Sequence, residues 1–172
     1  METINIRRIA VLDDHEDALT DVKGSLEGGL GLDVVCIRLE KALLNNLRKK
    51  ANGEAFARAY LEELAKADAR APLNSIFVDL DWQGLKQSEY FGLHLLGRIR
   101  DHKSLRRIPV MIYTGKILRE DDVGGWLDND TPFIRYNVLI RPDKLRKAVN
   151  VRYKAAFKVD SRQFVLRKKD AG

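Results

Sequence analysis

A single cysteine, Cys36, among 172 residues excludes an internal disulfide and fits a reducing, cytoplasmic setting. No stretch of about 18 consecutive apolar residues occurs, which excludes a spanning helix and any membrane role through one. The opening METINIRRIA lacks the apolar core of a secretory signal and runs directly into a strand-like segment. Repeats, low-complexity tracts and linkers are missing too, so no second folded domain is expected. Histidine is scarce: His15, His94 and His102 have no partners at ligand-like spacing and read as surface or helix-packing residues. What is present is 45% apolar and 33% charged side chains, a balance that excludes disordered and fibrous classes and can build one core.

The net charge of +6 is unevenly spread. From Arg141 to Gly172 there are 11 Lys and Arg against three Asp, whereas the preceding 140 residues carry 20 basic and 22 acidic side chains. The basic character thus belongs to the tail, which interleaves cations with Tyr153, Phe157 and Phe164. Nucleic-acid binding is expected only through that tail, if at all, and its plainer reading is a solvated helix face with a loose terminus.

Hydrophobic patterning alternates between strand and helix. Ile6 to Leu12 reads as a buried strand halted by Asp13 and Asp14. A helix follows from His15 to Glu27, stopped by Gly28-Gly29, then a strand from Leu32 to Leu39. Glu40 to Ala67 is helical with Leu43, Leu47, Phe56, Tyr60 and Leu64 inward, broken in two at Asn52-Gly53. Cys36 reads as core. Ser75 to Leu80 is a third strand, followed by a polar loop from Asp81 to Tyr90 in which Trp82 either shapes a rim or simply packs. Then come a helix over Gly92 to Arg100, a strand over Ile108 to Tyr113 and a weaker helix over Leu118 to Leu127. A fifth strand spans Phe133 to Ile140, stopped by Arg141-Pro142, and an amphipathic helix over Asp143 to Lys158 closes the chain. Near-continuously apolar strands separated by helices predict an α/β fold, a five-stranded parallel sheet covered on both faces and doubly wound.

In such a sheet, ligands bind beyond the carboxyl ends of the strands. Asp13 and Asp14 end strand one, Asp79 lies near the end of strand three, Thr114 ends strand four and Arg141 ends strand five. If strands one, three and four are neighbours, these groups share one rim. Two unit charges about 4 Å apart repel by roughly 4 kcal/mol at an intermediate dielectric, so three carboxylates need a cation or raised pKa values. All-oxygen donors favour Mg²⁺, and a hydroxyl and a guanidinium suit phosphoryl oxygens. The pattern points to metal-assisted phosphoryl transfer onto a carboxylate.

Five segments in this order, IAVLDDHEDAL, IFVDLDW, GLHLLGRIR, PVMIYTG and VLIRP, give a sequence that resembles the receiver domain of two-component response regulators. The resemblance covers about residues 6 to 150 and implies a flavodoxin-like receiver domain over 1–150 with an enlarged segment at 40–70. Residues 151–172 are expected to form a basic helical extension and tail. It implies Asp79 as phosphoacceptor, Asp13 and Asp14 as Mg²⁺ ligands with the Asp81 backbone carbonyl, and Thr114 as the hydroxyl that bonds the phosphoryl group. The implied donor is a histidine kinase or phosphotransfer protein. The implied output is a downstream protein target, or a homodimer, met through the side formed by helix 118–127, strand five and the closing helix.

Three features depart from the family. Arg141 replaces the strand-five lysine, where it either clamps the phosphoryl group or pins Asp79 as a standing ion pair. Val138 stands where the switch aromatic is expected; Phe133 or Tyr136 substitutes only if the strand is offset. The segment between strands two and three is roughly twenty residues longer than usual, and such insertions commonly form interaction surfaces or lids. Two other readings follow: a degenerate receiver that binds partners without phosphorylation, and a haloacid dehalogenase-like phosphatase built on Asp79-Leu80-Asp81. The second lacks the downstream lysine and acidic pair.

Overall fold

The computed structural model describes residues 8–50, 52–82, 90–115 and 133–144. The loop after Trp82, the helix expected over 118–127, nearly all of the closing helix and the basic tail lie outside the described residues.

The element order is β1 (Arg8–Leu12), α1 (Glu16–Leu30), β2 (Asp33–Ile37), α2 (Lys41–Lys50), α3 (Gly53–Arg70), β3 (Ser75–Asp79), α4 (Phe91–Asp101), β4 (Val110–Thr114), β5 (Phe133–Arg135) and the single turn α5 (Tyr136–Leu139). All five strands pair in parallel in the order β2-β1-β3-β4-β5. The winding direction reverses between β1 and β3, which makes the crevice at their carboxyl ends the natural ligand position of such a sheet.

Strand alternation sorts the core into two layers. Ile9, Val11, Phe77, Met111, Tyr113 and Ile134 face α1, meeting Leu19, Val22 and Leu26, with Leu139 of α5 beside them. Ala10, Leu12, Ile76, Val78, Val110 and Ile112 face the other way, against Phe56, Tyr60 and Leu64 of α3 and Leu95 and Ile99 of α4. Every residue of β3 and β4 is buried, as strands covered on both faces must be.

The enlarged segment divides as its sequence indicates. Asn52 caps α3, its side-chain oxygen accepting the Ala55 N–H at 3.1 Å. The crossover helix that covers the sheet is α3, with Phe56, Ala57, Tyr60 and Leu64 buried. This leaves α2 at the margin, where Leu47 is its one buried residue and Leu43, expected inward, is 42% exposed.

Among the boundaries that differ from expectation, two change where the chain turns. Helix α1 does not stop at Gly28-Gly29 but runs to Leu30, because the residue that reverses the chain is Gly31 (φ +65°), whose N–H bonds the Glu27 carbonyl at 2.9 Å. Strand β5 ends at Arg135 rather than Ile140. The next four residues form the α5 turn, with the Ile140 and Arg141 amides closing on Tyr136 and Val138. An apolar run of this length supports a strand or a buried turn equally well, and the tertiary packing of Leu139 chooses the turn.

Helix α4 approaches the end of β3 closely. The Gly92 N–H donates to the Leu80 carbonyl at 3.1 Å, and a Cβ on Gly92 would stand 2.2 Å from the Asp79 carbonyl oxygen and 2.7 Å from Leu80 Cα. Gly92→Ala is therefore expected to destabilise the fold by at least about 2 kcal/mol in thermal or urea denaturation, since backbone has to move. Gly97→Ala, with open space around it, should stabilise by roughly 0.5–1 kcal/mol.

Candidate functional site

The register of β1 with β3 pairs Leu12 with Val78, so Asp13 and Asp79 follow side by side at the carboxyl rim. One carboxylate oxygen from each of Asp13, Asp14 and Asp79 lies within 4.8 Å of the others. The three acids read from the sequence thus meet in one anionic cup. Beside it is a cavity of about 370 Å³ whose lining includes Asp13, Asp79, Asp81, Thr114 and Tyr136. Thr114, at the end of β4, is buried there.

Each acid is held differently, and strand parity is the cause. Asp13 continues the face that carries Tyr113. Its Oδ2 accepts the phenolic O–H at 2.8 Å and its Oδ1 accepts the His15 N–H at 2.8 Å. The bond to the His15 amide is a local turn contact ahead of α1, whose N-cap residue is His15 and has no side-chain cap bond. Asp14 continues the opposite parity and turns toward α2, where Oδ2 meets Arg48 at 2.9 Å. Arg48 also approaches the Asp14 carbonyl at 3.4 Å. Asp79 is fixed by its own backbone. The Asp81 N–H donates to Oδ2 at 3.2 Å, and the Trp82 indole N–H donates to the Asp79 carbonyl at 2.7 Å. Trp82 is buried among Phe56, Tyr60 and Phe91, so of its two readings packing is the observed one, with the indole also bracing the acid's main chain.

Arg141 does not join this group. It follows the α5 turn instead of ending a strand, its side chain is 55% exposed, and its Nε pairs with Asp143 at 3.8 Å. The adjoining Pro142 packs against Gly29, thirteen residues along α1 from its start and so about 20 Å from the acids. The expectation that Arg141 contacts the phosphoryl group or pins Asp79 is corrected accordingly. Tyr136 occupies the cavity wall, its hydroxyl donating to Asp21 at 3.1 Å. His15 is exposed, lines the same cavity and stands 3.9 Å from Asp14, while His94 faces Glu54 on the surface at 3.3 Å.

Tyr113 and Arg48 carry weight that the sequence reading did not assign them. A tyrosine in a strand buried on both faces has to place its hydroxyl proton, and the acids ending the neighbouring strands were the available acceptors. Arg48 had a fainter signal, an arginine in the basic last turn of a helix that could lie anywhere along the insertion.

Burial, with Asp13 and Asp14 adding their charge, pushes the Asp79 carboxyl up to about 9 in the absence of a cation. Burial also raises Asp13, against the lowering effect of the His15 and Tyr113 hydrogen bonds. A hard divalent cation fits this donor set, because all the donors are oxygen and the cup carries more negative charge than it can hold ionised. In the metal-free protein, a carboxyl whose folded pKa exceeds its unfolded value binds a proton more tightly when folded. The stability this carboxyl contributes is full below about pH 4 and is lost as pH rises toward 9. Thermal unfolding in chelator should show stability falling with pH across this window, at up to about 1.4 kcal/mol per pH unit, and Asp79→Asn should flatten the dependence.

No family model matches the sequence, and no curated protein matches it significantly. Solved structures do match. The bacteriophytochrome response regulator AtBRR is 21% identical with a TM-score of 0.52, over 85% of this chain and 91% of that one. A protein from Chloroflexus aurantiacus J-10-fl assigned as a response regulator is 16% identical with a TM-score of 0.51, over 85% and 97%. The RcsB response regulator from Salmonella typhimurium is 20% identical with a TM-score of 0.52, over 85% of this chain and 59% of that one. At such identities the likeness is one of architecture: this chain has the α/β fold of response-regulator receiver domains.

Proposed function

We propose that this chain is a receiver-like signalling module that accepts a phosphoryl group on Asp79 with Mg²⁺ in the acidic cup. The observation that carries the reading is the meeting of Asp13, Asp14 and Asp79 within 4.8 Å at the carboxyl rim, with the Thr114 side bordering the same cavity. Asp13, Asp14, Asp79 and the Asp81 carbonyl would hold the ion. Once bound, it offsets the negative charge of the acids and of the transferring group.

The chain's own residues then have separate tasks. Asp79 attacks the phosphorus of a phosphohistidine; an O–P bond forms, the P–N bond breaks and the leaving imidazole takes a proton from solvent. The Asp81 amide and the Trp82 indole keep the Asp79 carboxylate and backbone in one orientation, which is where most of the rate in such transfers originates. Thr114 offers its hydroxyl to a phosphoryl oxygen. Burial that raises Asp79 favours its protonated, non-nucleophilic form, so ionisation and transfer depend on the cation being bound.

A histidine kinase or phosphotransfer protein is the donor that fits this chemistry in the cell, and a protein target, or a second copy, receives the signal in the cytoplasm. Among the described residues no helix is long and apolar enough to cross a membrane.

With acetyl phosphate and Mg²⁺, intact-mass measurement should show one added phosphoryl group that hydroxylamine removes and that Asp79→Asn abolishes. No adduct at saturating Mg²⁺ would instead favour an interaction module that works without phosphorylation. Steady turnover of phosphomonoesters would favour the phosphatase alternative.

A further inference from the structure

Among the described residues, an arginine of the inserted helix faces the acidic cup, and the attachment of that helix is slight. Leu44, Leu47 and Arg48 share one face of α2. Of these, Leu47 is buried and Leu44 packs partly against the core. The opposite side presents Ala42, Asn46 and Lys49, all exposed, and Leu43 gains little from burial. Among the described residues, Arg48 supplies the charged anchor of this face, reaching an Asp14 side chain that is only 1% exposed.

That anchor is incomplete. A guanidinium on a carboxylate is strongest when two parallel N–H groups reach two oxygens. Here a single terminal nitrogen serves both Asp14 Oδ2 and the Asp14 carbonyl, while the buried Nε–H has no acceptor among the described residues. A buried donor left unmet is a standing cost of the docked arrangement. The pair also sits against the buried Tyr60, whose phenol is pushed up by burial and then by the Asp14 charge, with Arg48 opposing.

We propose that Arg48 is the built-in counter-ion of the cup, and that a divalent cation competes with it for Asp14, so that loading the cup loosens α2 from the domain. The inference rests on the reading of the cup as a cation site, but not on phosphorylation of Asp79. Arg48 and a divalent ion carry the same sign within reach of one carboxylate. A cation bound by Asp13 and Asp79 repels the guanidinium even before Asp14 turns to it. Among the described residues the other core contacts of α2 are the buried Leu47 and the partly buried Leu44, so loss of the ion pair leaves little else to hold the helix in place. The insertion thus couples the occupancy of the cup to the exposure of one amphipathic, basic helix.

The test is hydrogen–deuterium exchange of the full chain, read at the amides of residues 41–50 in chelator and in saturating MgCl₂, with Mg²⁺ affinity followed by tryptophan fluorescence. Exchange in α2 should accelerate on the order of tenfold with Mg²⁺ while α3 stays protected. Arg48→Ala should exchange quickly in α2 under both conditions and bind Mg²⁺ on the order of tenfold more tightly than the parent. Arg48→Lys, which keeps the charge on a flexible stem, should fall between them and serves if the alanine variant does not fold. Mg²⁺ binding with α2 protection unchanged or increased, or weaker binding by Arg48→Ala, overturns the competition and leaves the phosphoacceptor reading standing. Failure of parent and variants alike to bind Mg²⁺ overturns both. Mg²⁺ binding that loosens α2 without any phosphoryl adduct supports the competition while the phosphoacceptor reading fails.

Discussion

Three carboxylates brought to one rim of a parallel sheet are the constraint around which the rest of this structure is arranged. Ionised together in a buried position they would oppose folding, and the molecule answers the burden separately at each one. A phenol and a backbone amide meet Asp13, a guanidinium meets Asp14, and Asp79 is left with an amide and a strong preference for its proton. The carboxyl with the least compensation is the one proposed to become covalently modified. That is the arrangement expected if the missing compensation is supplied by a cation from solution.

Parity of the strands explains how neighbouring acids come to serve different surroundings. Successive residues of β1 point to opposite faces, and the alternation carries past Leu12 into the acidic pair. Asp13 follows Val11 toward α1, Tyr113 and the cavity. Asp14 follows Leu12 toward α3 and the inserted α2. One residue of chain thus separates the cup's open side from the side that carries the insertion, and any event at the cup is felt by both. Behind Asp79 the structure is stiff: α4 presses on its carbonyl through Gly92, and the Trp82 indole holds the same oxygen within a cluster of aromatic rings. The lightly held part is α2, with few apolar contacts and a single-point ion pair.

Much of this was legible before any coordinates. The alternation of strand and helix, the break at Asn52-Gly53 and the acids at strand ends all depend on local pattern, and local pattern survives folding when every element agrees with it. Errors arose where two local answers were nearly equal. Gly28-Gly29 is a plausible helix stop, yet glycine is tolerated within a helix when the left-handed residue that turns the chain comes later, at Gly31. The run from Phe133 to Ile140 is apolar enough for a strand or for a strand and a turn. A strand running to Ile140 would carry Arg141 to the rim, whereas the strand and turn leave it beyond α5.

The sequence alone determined the class of fold and the identity of the three acids, because the period of its apolar residues and the acids that end those runs are properties of short windows. Tertiary structure alone decided which cation and which hydroxyl attend those acids. Arg48 lies 34 residues from Asp14, and Tyr113 lies 100 from Asp13. Which distant group fills a charged corner depends on how whole helices and strands pack, a sum over many contacts that no short window contains.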